Sequence, residues 1–205
     1  MKLEVGGGFM PINIFEEFAE DYDRWFDEHR EESLAELARI RNIFPVPDSR
    51  SIEVGAGSGR FAGPLGIKIG IEPSGRLGRM ARDRGIEIIR GRAESLPFKD
   101  SSCSSVLSVT VVCFLDDPAS SFSELNRVLQ PGGPLFVAFI ERGGDIHRRY
   151  LQDGGKARFL SRARFYSRVE ITEYLERAGF SIECMDCRLG FCTMLTRKDP
   201  RQDIA

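Results

Sequence analysis

The 205-residue chain predicts an α/β fold: a mostly parallel seven-stranded sheet with helices on both faces and an antiparallel C-terminal hairpin. Three observations carry that prediction. Apolar runs of strand length alternate with helical segments from residue 50 to residue 140, the pattern of βαβ units. Residues 51–60, Ser-Ile-Glu-Val-Gly-Ala-Gly-Ser-Gly-Arg, read as the end of a buried strand, a glycine turn and a helix start. Two last apolar runs, 180–189 and 191–196, meet at Gly190 and read as a hairpin closing the sheet edge.

Taken in order, residues 1–11 form a glycine-rich lead-in, expected to fray. From Asn13 the pattern turns helical: Phe15, Phe18, Tyr22, Trp25, Phe26 and His29 make an aromatic face. A second helical segment carries Leu34, Leu37, Ile40 and Phe44 and stops before Pro45 and Pro47. These make a helical cap over residues 12–44. The core, 50–141, reads as strand 50–54, a short helix near 60–64 and strand 67–71. Helix 75–84, strand 86–89, strand 105–112, helix 118–129 and strand 134–140 follow. Gly63-Pro64 keeps the helix after the glycine turn short. Residues 142–168 are polar and read as an irregular lid. Helix 167–178 then runs into Gly179 and the hairpin, with a loose tail from Lys198. No internal repeat interrupts the chain, so residues 1–205 are expected to make one domain with a sizeable core.

Composition narrows the function classes. A net charge of −2 gives no global field toward nucleic acid or an anionic membrane. No apolar run is long enough to span a bilayer, and residues 1–8 lack a signal-peptide core, so the expected location is the cytoplasm. Five cysteines fit no small disulfide scaffold, and Cys184-Met-Asp-Cys187 has no second pair at zinc spacing, so no metal site is expected. Free, mostly buried thiols are the expectation.

The glycine turn departs from a dinucleotide fingerprint. Counting from Gly55, Gly-x-Gly-x-x-Gly would put its third glycine at position 60, which is Arg60; here it comes one residue early, at Gly59. An acid, Glu53, stands two positions before the first glycine. Downstream, Ile69-Gly-Ile-Glu72-Pro-Ser74 ends the second strand with a carboxylate, whose two acceptor oxygens suit a ribose diol. Gly91-Arg-Ala-Glu94-Ser-Leu-Pro-Phe98 follows the third strand and can set a backbone N–H and a carboxylate against an adenine edge. Thr110-Val-Val112 ends the fourth, and Glu124-Leu-Asn-Arg-Val-Leu-Gln-Pro-Gly-Gly133 precedes the fifth.

In order and spacing these motifs resemble the class I S-adenosylmethionine (SAM)-dependent methyltransferases, specifically the branch with the ubiquinone/menaquinone-biosynthesis enzymes. The resemblance covers residues 14–140 closely and 165–180 more loosely. It implies a Rossmann-like methyltransferase fold, SAM as methyl donor and S-adenosylhomocysteine as product. Carried over by position, it implies that Glu53 and the turn Gly55, Ala56 and Gly57 hold the methionine portion, with Glu53 orienting its ammonium. Glu72, next to Pro73, binds the ribose hydroxyls, Ala93 and Glu94 contact adenine, and Thr110 and Val111 line the methyl-donor face. Glu20-Asp-Tyr-Asp-Arg-Trp-Phe26 resembles the segment covering the methionine end, which implies that Tyr22 or Trp25 reaches the cofactor. One departure is Ser104-Ser105 at the start of strand four, where relatives carry Phe-Asp; remote from the site, it is expected to affect stability.

A SAM sulfonium is already a strong methyl donor, so the protein's task is to align the acceptor and exclude water. His147, in the lid, is the candidate general base; His29 is expected to pack or be exposed. Residues 142–168 hold eight Lys or Arg and two Asp, which reads either as a cationic entrance for an anionic acceptor or as a solvated basic surface. The expected acceptor is a small molecule. RNA or protein stays open, with a small activator subunit at a sheet edge as some relatives use; no appended RNA-binding domain is visible. Thr110-Val-Val-Cys113 stands where an Asn-Pro-Pro-Tyr-type motif would mark amino-methylation of DNA adenine, so DNA is not expected. A non-catalytic SAM-binding module is the further alternative.

Overall fold

Buried strands must pair their backbone polar groups laterally, so the apolar runs have to find one another. In the computed structural model, which describes residues 12–152 and 159–200, they form one seven-stranded sheet in the order β3-β2-β1-β4-β5-β7-β6. β1 (Ser51–Val54), β2 (Ile69–Ile71), β3 (Glu87–Ile89), β4 (Ser105–Val109) and β5 (Pro134–Ile140) are parallel. β6 (Phe180–Arg188) and β7 (Phe191–Lys198) are the antiparallel hairpin, and β7 is wedged between β5 and β6. The strand order reverses between β1 and β4, where a parallel sheet opens a crevice beyond its carboxyl ends.

Alternation along the strands feeds two separate cores. Val106 joins Phe122 and Leu125 of α6 (Pro118–Val128) and Ile171 and Leu175 of α8 (Arg168–Arg177) on one face. Its neighbour Leu107 joins, on the other face, Phe26 of α2 (Ala19–Glu28), Leu37 and Ile40 of α3 (Arg30–Ile43) and Ala81 of α5 (Gly75–Asp83). α1 (Ile12–Glu17) precedes α2, and the helix after the glycine turn, α4 (Ala62–Leu65), is a single turn. The helix starts are chemically marked. Asp117 accepts the Ser120 N–H with Pro118 in the first turn, and Ser167 and Glu170 form a reciprocal capping box.

Asp23 fastens the helical cap to the core. Its carboxylate accepts from Ser58 Oγ at 2.6 Å, Arg60 Nε at 2.8 Å and Arg84 at 2.8 Å. Burial alone would raise its pKa; the bonds from Arg60, Ser58 and Arg84 win and hold it at about 2. Ser104 and Ser105 also explain themselves. Ser105 Oγ donates to Ser51 Oγ at 2.8 Å and Ser104 Oγ to Asp48 at 2.5 Å, a small polar network at the base of β1 and β4.

The structure corrects four expectations. The fourth strand stops at Val109: Thr110 has φ +55, and a 3-10 turn, Val112–Phe114, follows. The segment expected to be irregular contains a helix, α7 (Asp145–Gln152). Lys198 is no loose tail; it is 2% exposed in β7, with Nζ donating to the Leu129 carbonyl at 3.0 Å. The thiols are not all free either. Cys187 and Cys192, directly opposite in the hairpin, form a disulfide, while Cys103 and Cys113 are free and buried and Cys184 is free and exposed. The lead-in 1–11 and residues 201–205 lie outside the described residues. Among the described residues, no helix is long and apolar enough to cross a membrane.

Candidate functional site

At Val54 the chain must leave the sheet at once. The N–H groups of Gly55 and Ala56 both donate to the Ile71 carbonyl, at 2.8 and 3.0 Å, and Gly59 N–H donates to the Ala56 carbonyl at 2.8 Å. Gly55 takes φ +76 and Gly57 φ +54, the region glycine enters without penalty. At Gly55 there is a second requirement: a Cβ would lie 2.2 Å from Cγ2 of Val111, so the turn and the exit from β4 touch.

Two carboxylates brace this turn. Glu53 is 1% exposed; its Oε2 accepts the Ala62 N–H at 2.8 Å, and burial raises its pKa well above the usual range. Glu72, at the end of β2, accepts the Gly57 N–H on one oxygen and the Ser74 N–H on the other, each at 2.8 Å. Burial pushes Glu72 up to about 7 against the pull of those two donors. One lone pair on each oxygen is left for a ligand.

Above the turn lies a cavity of about 900 Å³. Its inner half is lined by Gly55, Gly57, Glu72, Pro73, Ala93, Glu94, Thr110 and Val111. Over it sits an aromatic roof contributed by separate elements. Phe15 meets Tyr22 at 5.4 Å, Phe114 at 4.8 Å and Phe159 at 5.4 Å, and Tyr22 meets Phe159 at 5.5 Å between ring centroids. The outer half runs between α3 and α7, where Trp25, His29, Glu32, Glu36, Arg39 and Tyr150 face it. Trp25 and His29 stack at 4.6 Å, so His29 packs as expected while also reaching the wall.

The structure thus gathers Tyr22, Trp25, Gly55, Gly57, Glu72, Pro73, Ala93, Glu94, Thr110 and Val111 around one space. It does not bring Glu53 or Ala56 to the wall; both are buried beneath the turn they shape. Nor does it bring His147 there. Its Nδ1 accepts the Gly143 N–H at 3.0 Å, its ring lies 4.3 Å from that of Phe165, and burial followed by the charge of Arg142 lowers its pKa. Among the described basic residues of this stretch, Arg142 pairs with Glu170, Arg148 with Asp145 and Arg168 with Glu141, while Arg149 lines the cavity. Phe114, Phe159, Glu36, Arg39 and Tyr150 were not singled out as site residues by the sequence. Glu32, Glu36 and Arg39 do fall at helical steps of four and three, which puts them on one stripe of α3.

Chemically, the inner half offers backbone groups, a doubly acceptor carboxylate suited to a vicinal diol, and an apolar slot beside Ala93 for a flat ring.

Residues 52–137 match the model of the methyltransferase domain family. An uncharacterised protein of Methanocaldococcus jannaschii is 36% identical over 169 residues, 82% of each chain. A Thermotoga maritima crystal structure, a SAM-dependent methyltransferase described as a possible histamine N-methyltransferase, is 35% identical with a TM-score of 0.84, covering 92% of this chain and 100% of that one. A Haloferax volcanii methyltransferase solved in complex with the Trm112 methyltransferase activator shares the fold, with a TM-score of 0.75 at 18% identity, over 90% of this chain and 97% of that one.

Proposed function

We propose, from the premise that this chain belongs to the SAM-dependent methyltransferase family, that it transfers a methyl group from SAM to a small-molecule acceptor bound in the outer half of the cavity. One observation carries this reading: the glycine turn, Glu72 and the aromatic outer chamber open into the same space of about 900 Å³. That is near the upper end of the roughly 300–1,000 Å³ typical of small-molecule sites, enough for a cofactor and a compact acceptor together.

The residues present suit the cofactor. Glu72 holds the two ribose hydroxyls on the lone pairs left by Gly57 and Ser74. The Ala93 backbone and the Glu94 side chain meet the adenine edge, beside Pro73. The backbone of Gly55, Ala56 and Gly57 cradles the methionine portion, with Tyr22 and Trp25 above it. Glu53 acts from below, holding the turn through Ala62. Thr110 and Val111 form the wall beside the methyl group. Bound there, SAM supplies an electrophilic methyl carbon. The chain's own contribution is to position the acceptor in line and keep water out.

The test is transfer of radiolabelled methyl from SAM into an extract, fractionated by size and nuclease sensitivity. Label in the small-molecule fraction is expected. Label in RNA or protein would instead favour the alternative of a macromolecular substrate with a small activator subunit, the arrangement the Haloferax complex makes relevant. SAM binding without any transfer would favour a binding-only module.

A further inference from the structure

We propose that the Cys187–Cys192 bridge is a thiol–disulfide exchange site: a thiolate reaching Cys187 opens it, and opening frees the hairpin tip that holds α7 in the cavity wall. The exchange partner it fits is a dithiol reductant. This chemistry goes beyond methyl transfer and is independent of which acceptor the cavity takes.

Cys187 and Cys192 face each other across the hairpin, and Arg188 and Phe191 make the next and last pair before the turn. Leu189 and Gly190 both have positive φ, +51 and +85, the type I′ geometry for which Asn-Gly is the favoured sequence. A leucine rarely adopts that conformation, so this turn needs support from outside itself. The bridge ties the rungs behind it. The start of α7 packs against its tip: the Leu189 carbonyl accepts the Ile146 N–H at 3.2 Å, and the Gly190 carbonyl accepts the Glu141 N–H at 2.8 Å. A Cβ on Gly144 would fall 2.6 Å from Gly190 Cα, so the two backbones touch. The dependence is mutual. No residue of α7 is buried, so contacts like these, not a core, hold the helix in place. α7 brings Ile146, Arg149 and Tyr150 to the outer half of the cavity, and the tip brings Leu189 and Phe191. The glycine turn and Glu72 stand at the ends of β1 and β2, with β4 and β5 between them and β7.

The two sulfurs differ in access. Cys187 is half-buried and lines a second recess, of about 400 Å³, together with Glu141, Arg142, Asp145, Arg148 and Arg168. Cys192 is 0% exposed and does not line it. An incoming thiolate therefore attacks Cys187 Sγ. A new S–S bond forms there as the Cys187–Cys192 bond breaks, and the electron pair leaves on Cys192, which takes up a proton in its buried position. Glu141 Oε2, 3.8 Å from Cys192 Sγ, is in place to accept that S–H. The reductant's second thiolate then attacks the mixed disulfide and expels Cys187. Two electrons and two protons pass from the dithiol to the chain, and the reductant leaves as a disulfide. With its rungs untied, the turn at Leu189 relaxes, the N–H groups of Glu141 and Ile146 lose fixed acceptors, and α7 loosens while the glycine turn keeps its shape.

The test uses the full folded chain, in a Cys184→Ser background that removes the exposed free thiol. Exposure to reduced glutathione, followed by alkylation and peptide mass spectrometry, should find glutathione on Cys187 and the alkyl group on Cys192. Dithiothreitol should then open the bridge without unfolding the chain. Hydrogen exchange should rise about threefold or more across residues 141–152 and 188–191 on reduction, and stay unchanged across residues 51–60. The double variant Cys187→Ser/Cys192→Ser should show the same pattern without reductant; if it does not fold, reduction of the parent chain still decides. Glutathione on Cys192, a bridge that dithiothreitol opens only in the unfolded chain, exchange in 141–152 that does not respond, or an equal rise across 51–60 would each overturn the proposal. S-adenosylhomocysteine affinity in calorimetry should be the same before and after reduction. A chain that never binds S-adenosylhomocysteine would refute the methyltransferase reading and leave the exchange site to be judged on the other measurements.

Discussion

Replacing Gly55 with alanine tests the join between the glycine turn and the exit from β4. Two costs add. At φ +76 a residue with a Cβ is strained by about 1–2 kcal/mol. The new methyl would also sit 2.2 Å from Cγ2 of Val111 and 3.3 Å from its Cβ. Val111 cannot easily yield. It is branched at Cβ, the Thr110 N–H before it is bonded to the Ala138 carbonyl at 2.7 Å, and its own carbonyl accepts the Phe114 N–H at 2.8 Å. Overpacking of this kind costs about 1–3 kcal/mol. The sum, roughly 2–5 kcal/mol, corresponds to a fall in Tm of about 4–20 °C for a protein of this size. Thermal unfolding followed by circular dichroism reads it directly. The double variant Gly55→Ala/Val111→Ala should recover the steric share and leave about 1–2 kcal/mol. Gly57→Ala, where the nearest atom is the Tyr22 ring at an ordinary 3.4 Å, should show the conformational share alone. A Tm within about 2 °C of the parent, or a double variant no more stable than Gly55→Ala, would refute the contact and the reasoning built on it.

Glu72→Ala is expected to weaken SAM binding more than tenfold, because the variant loses both diol acceptors and leaves the N–H groups of Gly57 and Ser74 unpaired; unchanged affinity in calorimetry would remove the ribose assignment. Raised carboxyl pKa values mean that the folded chain holds protons the unfolded chain releases. Stability from Glu72 and Glu36 is therefore complete below pH 4.5 and lost as pH rises through about 7, roughly 3 kcal/mol for Glu72. Urea unfolding at pH 5 and pH 8 should show that loss, and Glu72→Gln should shrink it. Asp23→Ala should destabilise by about 1–3 kcal/mol in urea, since Arg60 and Arg84 lose a shared partner, though their partial exposure screens the penalty. Unfolded without reductant, the chain should titrate three thiols, and after reduction all five; five at the outset would rule out the Cys187–Cys192 bridge.

What the sequence disclosed follows from what local patterns encode. The β–turn–α punctuation is written in apolar periodicity and glycines, so the sheet, the turn at Gly55 and the carboxylate at Glu72 were legible. Thr110-Val-Val112 misled because its β-branched residues favour strand locally, while the chain turns out of β4 there, with Thr110 left-handed and Val111 lying against Gly55. The pairing of Cys187 with Cys192 depends on hairpin register, which cysteine spacing alone does not fix. Lys198 read as tail because its charge hides a stem long enough to cross buried surface and reach the Leu129 carbonyl. The outer chamber was least visible. Periodicity says which stripe of α3 is apolar, but not that Glu32, Glu36 and Arg39 on its polar side line the cavity opposite Tyr150 of α7.

The wedging of β7 between β5 and β6 also has a consequence in time. As the ribosome makes the chain, β5 emerges with β4 ready beside it, but its other neighbour follows about 50 residues later, roughly 3–10 s at common elongation rates. Throughout that interval Pro-Leu-Phe-Val-Ala-Phe-Ile, a strand buried along its whole length in the finished sheet, presents an unpaired edge. Slower decoding between residues 141 and 190 would lengthen the exposure without altering one amino acid, so the yield of folded protein should respond to synonymous codon choice in that segment and to chaperones that shield nascent strands.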